Sequence, residues 1–120
     1  MTRAQIIGQA AEDFACEFLQ QNGLRLIARN FYSRAGEIDL IMRDGTFLVF
    51  IEVRQRSAKS HGSALESVTR SKQQKLIKTA LYYLQVNRLL DKQACRFDVL
   101  SLDGAPLQIA WVKNAFGYDY

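Results

Sequence analysis

Two apolar runs joined by a tight turn constrain the fold of this chain more than any other feature. The runs occupy residues 37–43 and 46–54, and Asp44-Gly45 between them is a strong β-hairpin signal. A polar loop follows, then a long stretch of helical periodicity, then a β-rich run at residues 94–102. A strand that returns to a sheet through a helix runs parallel to the strand before that helix. The sequence therefore predicts a mixed sheet.

Helical spacing of apolar residues also covers residues 3–21, and Asn22-Gly23 ends this first helix. Residues 24–30 and 107–112 are predicted strands. The predicted order is α-β-β-β-α-β-β, an α/β fold in which helices flank a mixed sheet. A single domain is expected to span residues 1–120, because this length suits one hydrophobic core.

The start of the second helix is predicted from a capping signal. Ser63 is followed three residues later by Glu66, which is the spacing of a capping box, and the helix is predicted to run to about Val86. The positions predicted to face inward are Leu65, Val68, Leu76, Ile77, Ala80, Leu81 and Leu84.

Composition excludes several classes of protein. No apolar run approaches the roughly 18 residues of a membrane helix, and the first residues do not form a signal peptide. We therefore expect a cytoplasmic protein without membrane contact. Cys16 and Cys95 are isolated and His61 is the single histidine, so neither a zinc site nor a disulfide is expected.

Positive charge is concentrated in one part of the chain. Residues 52–78 contain seven lysines and arginines against two glutamates, whereas the net charge of the whole chain is only +4. A basic segment on a nearly neutral background indicates a surface for a polyanion, although a solvated helix surface has the same pattern.

Two carboxylates interrupt the apolar runs of the hairpin. Strand alternation places Glu52 and Arg54 on one face of the third strand, and Glu37, Asp39 and Ile41 on one face of the second. Because the hairpin makes the two strands neighbours, Asp39 is expected near Glu52. Two converging carboxylates raise each other's pKa, and a divalent cation such as Mg²⁺ relieves their repulsion. This arrangement favours metal-assisted hydrolysis of a phosphodiester.

Structural salt bridges are the alternative interpretation of these charges. Asp39 has Arg54 and Arg34 as candidate partners, and Glu52 has Arg54 and Arg56. An acidic residue followed by Glu-x-Arg occurs by chance in many sheets, so the hairpin alone leaves both interpretations open.

The combination of motifs resembles the restriction-endonuclease-like superfamily, whose pattern is an acidic residue, a spacer and then (D/E)-x-K. More narrowly, it resembles the YraN-like family, bacterial proteins similar to archaeal Holliday-junction resolvases. The motifs that carry the resemblance are Gly8-Gln-Ala-Ala-Glu12, Asn30-Phe31, Gly36-Glu-Ile-Asp-Leu-Ile41, the turn Asp44-Gly45, Phe50-Ile-Glu-Val-Arg-Gln-Arg56, Lys72, Arg96-Phe-Asp-Val99 and Asn114-Ala-Phe116. They follow one another along nearly the whole chain.

The resemblance implies a fold with an α-β-β-β-α-β core and a site for Mg²⁺ or Mn²⁺. Asp39, Glu52 and the Val53 carbonyl are then the expected metal ligands, and Glu12 is the acidic residue that resolvase-like nucleases add. Taken alone, Glu12 reads as a solvated helix residue. Glu37 is either an outer neighbour of the metal or a charge at the strand entry, and we favour the latter. Asp98 has two interpretations, support of the site or pairing with Arg96 or a helix lysine.

Arg54 departs from the superfamily pattern, which has lysine at this position. An arginine cannot act as a general base but can hold a phosphate oxygen and stabilise negative charge. Three interpretations therefore remain: a metal-dependent endonuclease acting on branched or structured DNA, a non-catalytic module that binds DNA or a partner, and a structural scaffold with an incidental salt-bridge cluster. The analogy with resolvases also implies a homodimer. The expected DNA-binding residues are Arg54, Arg56, Lys59, Arg70, Lys72 and Lys75.

Overall fold

The elements of the fold follow the order expected from the sequence. A computed structural model describes residues 2–57, 62–104 and 107–117, and the elements there follow the order α-β-β-β-α-β-β. The α/β class is therefore confirmed. The elements are α1 Arg3–Gln21, β1 Arg25–Tyr32, β2 Glu37–Asp44, β3 Phe47–Arg56, α2 Arg70–Val86, β4 Cys95–Asp103 and β5 Gln108–Phe116.

The five strands form one mixed sheet in the order β1-β2-β3-β4-β5. Strands β3 and β4 are parallel, in a register that runs from Leu48 opposite Cys95 to Arg56 opposite Asp103, and α2 is the connection between them. The other neighbours are antiparallel. The predicted crossover and the α-β-β-β-α-β core are both present.

Each helix covers its own face of the sheet with a separate hydrophobic cluster. The α2 cluster contains Phe50 and Phe97, whose rings stack with centroids 5.4 Å apart. The α1 cluster contains Leu19 together with Val49 and Ile51 of β3. Neighbouring residues of β3 therefore pack on opposite faces, as a strand with two covered faces requires.

The predicted start of the second helix is wrong. Ser63 does not cap α2; its Oγ accepts a hydrogen bond from the Glu66 N–H at 3.1 Å within a separate turn. The helix begins at Arg70, and Thr69 is its N-cap, because its side chain accepts from the Lys72 N–H at 3.3 Å. Val68 lies between the two capping signals and is only 2% exposed. Its burial keeps this segment in a turn, and the helix begins after it.

The inward face of α2 also differs from the prediction at one turn. Leu81 is 38% exposed, whereas Tyr83 is only 9% exposed. The Tyr83 ring packs edge-on against Phe31 at 5.1 Å and against Phe50 at 5.9 Å. These aromatic contacts rotate the buried side of the helix toward Tyr83.

The two cysteines are free thiols. Cys16 belongs to the α1 cluster and Cys95 lies against the α2 cluster, so the sheet separates them. In the described part of the chain, neither helix is long and apolar enough to cross a bilayer.

Candidate functional site

Asp39 lies at the open end of the β2–β3 hairpin. The paired residues run from Asp44 opposite Phe47 to Leu40 opposite Ile51. One position further, Asp39 Oδ2 accepts a hydrogen bond from the Val53 N–H at 2.8 Å. The carboxylate thus binds a β3 amide where the ladder of paired residues ends, and this contact positions it beside Glu52 and Val53.

The alternation of β2 side chains between the two faces of the sheet is interrupted around Asp39. Ile38 and Ile41, three residues apart, both belong to the α2 cluster, whereas Leu40 belongs to the α1 cluster. The prediction that Asp39 and Ile41 share a face is therefore wrong. On β1 the paired residues are Arg29 opposite Leu40 and Phe31 opposite Ile38, and Asn30 between them has a φ of 53°. This irregularity directs Asp39 toward α1.

Asp39 and Glu52 meet as predicted, and their contact perturbs the protonation of Asp39. Burial, a side-chain hydrogen bond with Glu52 and the Glu52 charge raise the pKa of Asp39 to about 8. The Val53 N–H and Arg54 oppose this rise. The protonated form of the Asp39 carboxyl is therefore favoured near neutral pH.

Glu12 of α1 joins the site. One carboxylate oxygen from each of Glu12, Glu37 and Asp39 lies within 4.8 Å of the others. Burial and the Asp39 charge raise the pKa of Glu12, and Arg29 lowers it from a distance of 3.7 Å between Nη2 and Oε1. Glu12, which the local sequence indicates as a solvated helix residue, is thus part of an acidic cluster. We define the acidic cluster as Glu12, Glu37, Asp39 and Glu52.

Glu37 begins β2, as the preferred strand-entry interpretation has it, and its carboxylate also belongs to the acidic cluster. Burial and the Asp39 charge raise the pKa of Glu37, while a hydrogen bond from Tyr32 lowers it. Tyr32 lies directly opposite Glu37 in the β1–β2 pairing. The change in facing of β2 explains the position of Glu37, because it turns both β2 carboxylates toward α1.

Asn30 is a site residue that the sequence did not reveal. With its amide nitrogen facing the carboxylates, it donates to Glu37 Oε1 at 2.8 Å and to Glu12 Oε1 at 2.9 Å. Its positive φ is a conformation that asparagine tolerates better than most residues. The sequence places Asn30-Phe31 in a family motif but contains no local signal of this backbone conformation.

The donor set of the acidic cluster fits a hard divalent cation. Carboxylate oxygens are the ligands that Mg²⁺ and Mn²⁺ prefer. The pKa of Asp39 is raised first by burial and then by the hydrogen bond with Glu52 and the Glu52 charge. Two arginines approach the cluster: Arg29 pairs with Glu12, and the Arg54 Nη1 atom is 3.9 Å from Glu52 Oε2. A groove of about 380 Å³ lined by Gly8, Glu12 and Glu37 leads to the cluster.

The predicted DNA-binding residues have different surroundings. Arg56 donates to the Ser63 carbonyl at 2.6 Å and the Gly62 carbonyl at 2.8 Å, and its Nε is 3.3 Å from Asp103. Its guanidinium therefore holds the segment that leads into α2. Arg70, Lys72 and Lys75 are exposed on α2, across the sheet from α1, and Lys59 lies outside the described residues.

Asp98 pairs with Arg96 and does not join the acidic cluster. Its side chain is fully buried and accepts from the Arg96 guanidinium at 3.1–3.3 Å, from Trp111 Nε1 at 3.0 Å and from the Asn114 N–H at 2.9 Å. Of the two interpretations that the sequence left open, the structure shows the pairing with Arg96. This carboxylate connects β4 to β5.

Comparison with known proteins identifies relatives along most of the chain. Residues 11–102 match the model of a family described as "Uncharacterised protein family UPF0102". A UPF0102 protein of Coxiella burnetii is 52% identical over 116 residues, which cover 97% of this chain and 96% of the relative. One from Legionella pneumophila is 50% identical over 91% of this chain and 92% of its own length. The chain therefore belongs to UPF0102, the YraN-like family that its motifs indicate.

Proposed function

We propose that this protein is a divalent-metal-dependent endonuclease that hydrolyses phosphodiesters in branched or structured DNA. The observation that carries the proposal is the convergence of the acidic cluster on Asp39, whose pKa is raised to about 8. A perturbed carboxylate beside other carboxylates that line a groove is typical of a functional site, whereas a structural salt bridge would lower the pKa of its acid.

In this proposal Asp39, Glu52 and the Val53 carbonyl hold Mg²⁺ or Mn²⁺, and Glu12 completes the set. The Val53 N–H fixes one oxygen of Asp39 at 2.8 Å, which orients the other oxygen for a ligand. The metal would supply a Lewis acid at the scissile phosphate and lower the pKa of the attacking water. Asn30 holds Glu12 and Glu37 in place by donating to both.

Arg54 is the phosphate-binding residue of the proposed site. Its side chain is 28% exposed and its Nη1 lies 3.9 Å from Glu52, close enough to contact a substrate held there. Because a guanidinium keeps its proton, Arg54 stabilises negative charge on the phosphate and does not deprotonate water.

The exposed cations of α2 are the proposed contacts to the DNA backbone. Arg70, Lys72 and Lys75 lie on one helix, and they are expected to bind phosphates without reading bases. We do not assign Arg56 to this surface, because its guanidinium already binds two carbonyls and Asp103. Lys59 stays a predicted contact. By analogy with resolvases, we propose a cytoplasmic homodimer.

A cleavage assay with Glu52→Gln tests the proposal. We expect the wild-type protein to cut junction or flap DNA in Mg²⁺ or Mn²⁺, and Glu52→Gln to reduce the rate by about a hundredfold or more, because it removes a metal ligand. Glu17→Gln is the matched control, since it removes an exposed carboxylate of α1 outside the acidic cluster. DNA binding without cleavage at every metal concentration would contradict the endonuclease.

The second candidate function is a DNA-binding module without hydrolysis. It is favoured by Arg54, which stands where the superfamily has lysine and whose Nη1 lies 3.9 Å from Glu52. An arginine here neutralises part of the acidic cluster and supplies no general base. This module would bind DNA in the cleavage assay and leave it intact.

The variant Arg54→Lys separates the two functions further. If the guanidinium only supplies positive charge, Arg54→Lys keeps the cleavage rate of the wild type or raises it, because an ammonium also binds phosphate and matches the superfamily pattern. Initial rates on junction DNA at saturating Mg²⁺ provide the measurement. A complete loss of cleavage would instead assign the guanidinium a specific bidentate contact.

A further inference from the structure

A second groove lies next to the acidic cluster, between the β1–β2 connection and α2. Its volume is about 330 Å³, and it is lined by Tyr32, Ser33, Arg34, Ala35, Lys78 and Tyr82. Pockets for small organic groups start at roughly this size. Tyr32 also lines the groove that contains Glu12 and Glu37. The two grooves therefore adjoin, with Tyr32 between them.

Two aromatic side chains are exposed at this second groove and held in position. Tyr32 is 66% exposed and its hydroxyl forms a hydrogen bond with Glu37. Tyr82 is 48% exposed, and its ring lies 6.1 Å from the Phe31 ring at an interplanar angle of 32°. Exposed rings with fixed orientations are typical of sites where flat ligands stack.

Hydrogen bonds also fix the backbone around this second groove. Ser33 Oγ donates to Thr79 Oγ1 at 3.2 Å, which joins the β1–β2 connection to α2. Within the connection, the Ser33 N–H donates to the Gly36 carbonyl at 2.8 Å. Because this backbone is already ordered, ligand binding costs little further conformational entropy of the loop.

The groove has a positive charge that contrasts with the neighbouring acidic cluster. Arg34 and Lys78 are exposed, and neither forms an ion pair with any of the described residues. Aromatic rings combined with unpaired cations match a nucleotide, whose base stacks while its phosphate binds the cations.

We propose that this groove binds an unpaired nucleotide of a DNA substrate, with the base stacked on Tyr82 and Tyr32 and the backbone phosphates on Arg34 and Lys78. This inference rests on the proposed function, and it narrows the substrate class to DNA with a single-stranded segment next to the scissile phosphate. Base stacking does not discriminate between sequences, so recognition depends on DNA structure.

The test measures binding without metal, which separates it from cleavage. Fluorescence anisotropy in EDTA gives the affinity for a labelled oligothymidine, a flap substrate and a blunt duplex. We expect Tyr82→Ala to weaken binding of the oligothymidine and the flap by about tenfold and duplex binding by less than about twofold. Tyr82→Phe keeps the ring and is expected to bind like the wild type.

A matched control and a second readout guard against misfolding of the variants. Leu81→Ala alters the neighbouring exposed residue of α2, which lines a different groove, and is expected to leave all three affinities unchanged. In addition, 2-aminopurine at the unpaired position is expected to lose fluorescence on binding the wild type and not on binding Tyr82→Ala.

The double variant Arg34→Gln/Lys78→Gln is expected to reduce the salt dependence of oligothymidine binding by about one phosphate contact or more.

The outcomes distinguish this inference from the proposed function. Equal weakening on the oligothymidine and the duplex, or no weakening by Tyr82→Ala, would overturn the nucleotide site even if the wild type cleaves DNA. Binding of the oligothymidine that depends on Tyr82, with no cleavage of the flap in Mg²⁺ or Mn²⁺, would support the nucleotide site and contradict the endonuclease.

Discussion

Asp39→Asn is expected to abolish metal-dependent DNA cleavage while making the protein more stable at alkaline pH. For the proposed endonuclease, cleavage is expected to fall by about a hundredfold or more, because an amide is a poor metal ligand in place of a carboxylate. The free energy of unfolding at alkaline pH rises because the folded protein favours a neutral side chain at this position, and asparagine stays neutral at every pH. Its Oδ1 can accept from the Val53 N–H, the bond that Asp39 makes at 2.8 Å, while its Nδ2 donates to Glu52.

The direction of the pH dependence follows from the raised pKa of Asp39. This pKa is about 8 in the folded protein against an ordinary value of 3.8, so the folded state binds more protons than the unfolded state between these pH values. The free energy of unfolding of the wild type therefore falls as the pH rises from about 4 to about 8. Asp39→Asn lacks this decline.

Urea unfolding at several pH values measures the effect. We expect the variant to exceed the wild type by roughly 2 kcal/mol or more above pH 8 and to differ little below pH 4. Mg²⁺ is expected to raise the melting temperature of the wild type, more so at high pH, and to have little effect on the variant. Parallel stability curves for both proteins from pH 4 to pH 9 would contradict the assignment, and Glu17→Gln again serves as the control.

Asp98→Asn is expected to destabilise the fold by about 3–5 kcal/mol. The Asp98 side chain is fully buried, and each of its neighbours is a donor: the Arg96 guanidinium, Trp111 Nε1 and the Asn114 N–H. An asparagine has nearly the same shape but turns an NH₂ group toward these donors. Removing one partner of a buried ion pair costs about 3–5 kcal/mol.

Asp91→Asn is the matched control for Asp98→Asn. Asp91 is exposed and has a φ of 61°, a conformation that asparagine adopts readily, so this variant is expected to unfold like the wild type. Denaturant midpoints at neutral pH provide the comparison. A loss below about 1 kcal/mol for Asp98→Asn would show that Arg96 is satisfied by Asp44, its other ion-pair partner at 2.8 Å, and that the Asp98 contacts contribute little.

The β2–β3 hairpin and the start of α2 show where local sequence signals succeed and where they fail in predicting the fold. The hairpin turn Asp44-Gly45 and the strand periodicity are local, and the structure has β2 and β3 where they indicate. Ser63 with Glu66 is an equally good local signal, but it forms a turn because the following Val68 is buried in the α2 cluster. Burial of an apolar side chain outweighs a capping interaction of about 1 kcal/mol.

The candidate site shows the same division. Asp39 and Glu52 stand out in the sequence because they interrupt apolar strands, and the hairpin alone makes them neighbours. Family resemblance alone points to Glu12, since nothing local distinguishes it from Asp13. Glu37 and Asn30 could not be placed, because their positions depend on the irregular pairing of β1 with β2.

The order of elements, the parallel crossover, the family and the pair Asp39 and Glu52 could all be predicted from the sequence. These features follow from periodicity, turn residues and motif spacing, which act over short distances along the chain. Three further contacts could be found only in the folded chain: Glu12 and Glu37 meet this pair, Asp98 pairs with Arg96, and Tyr32 stands between two grooves. These contacts depend on how β2 changes its facing and where α1 lies on the sheet, and such geometry arises only when distant segments pack together.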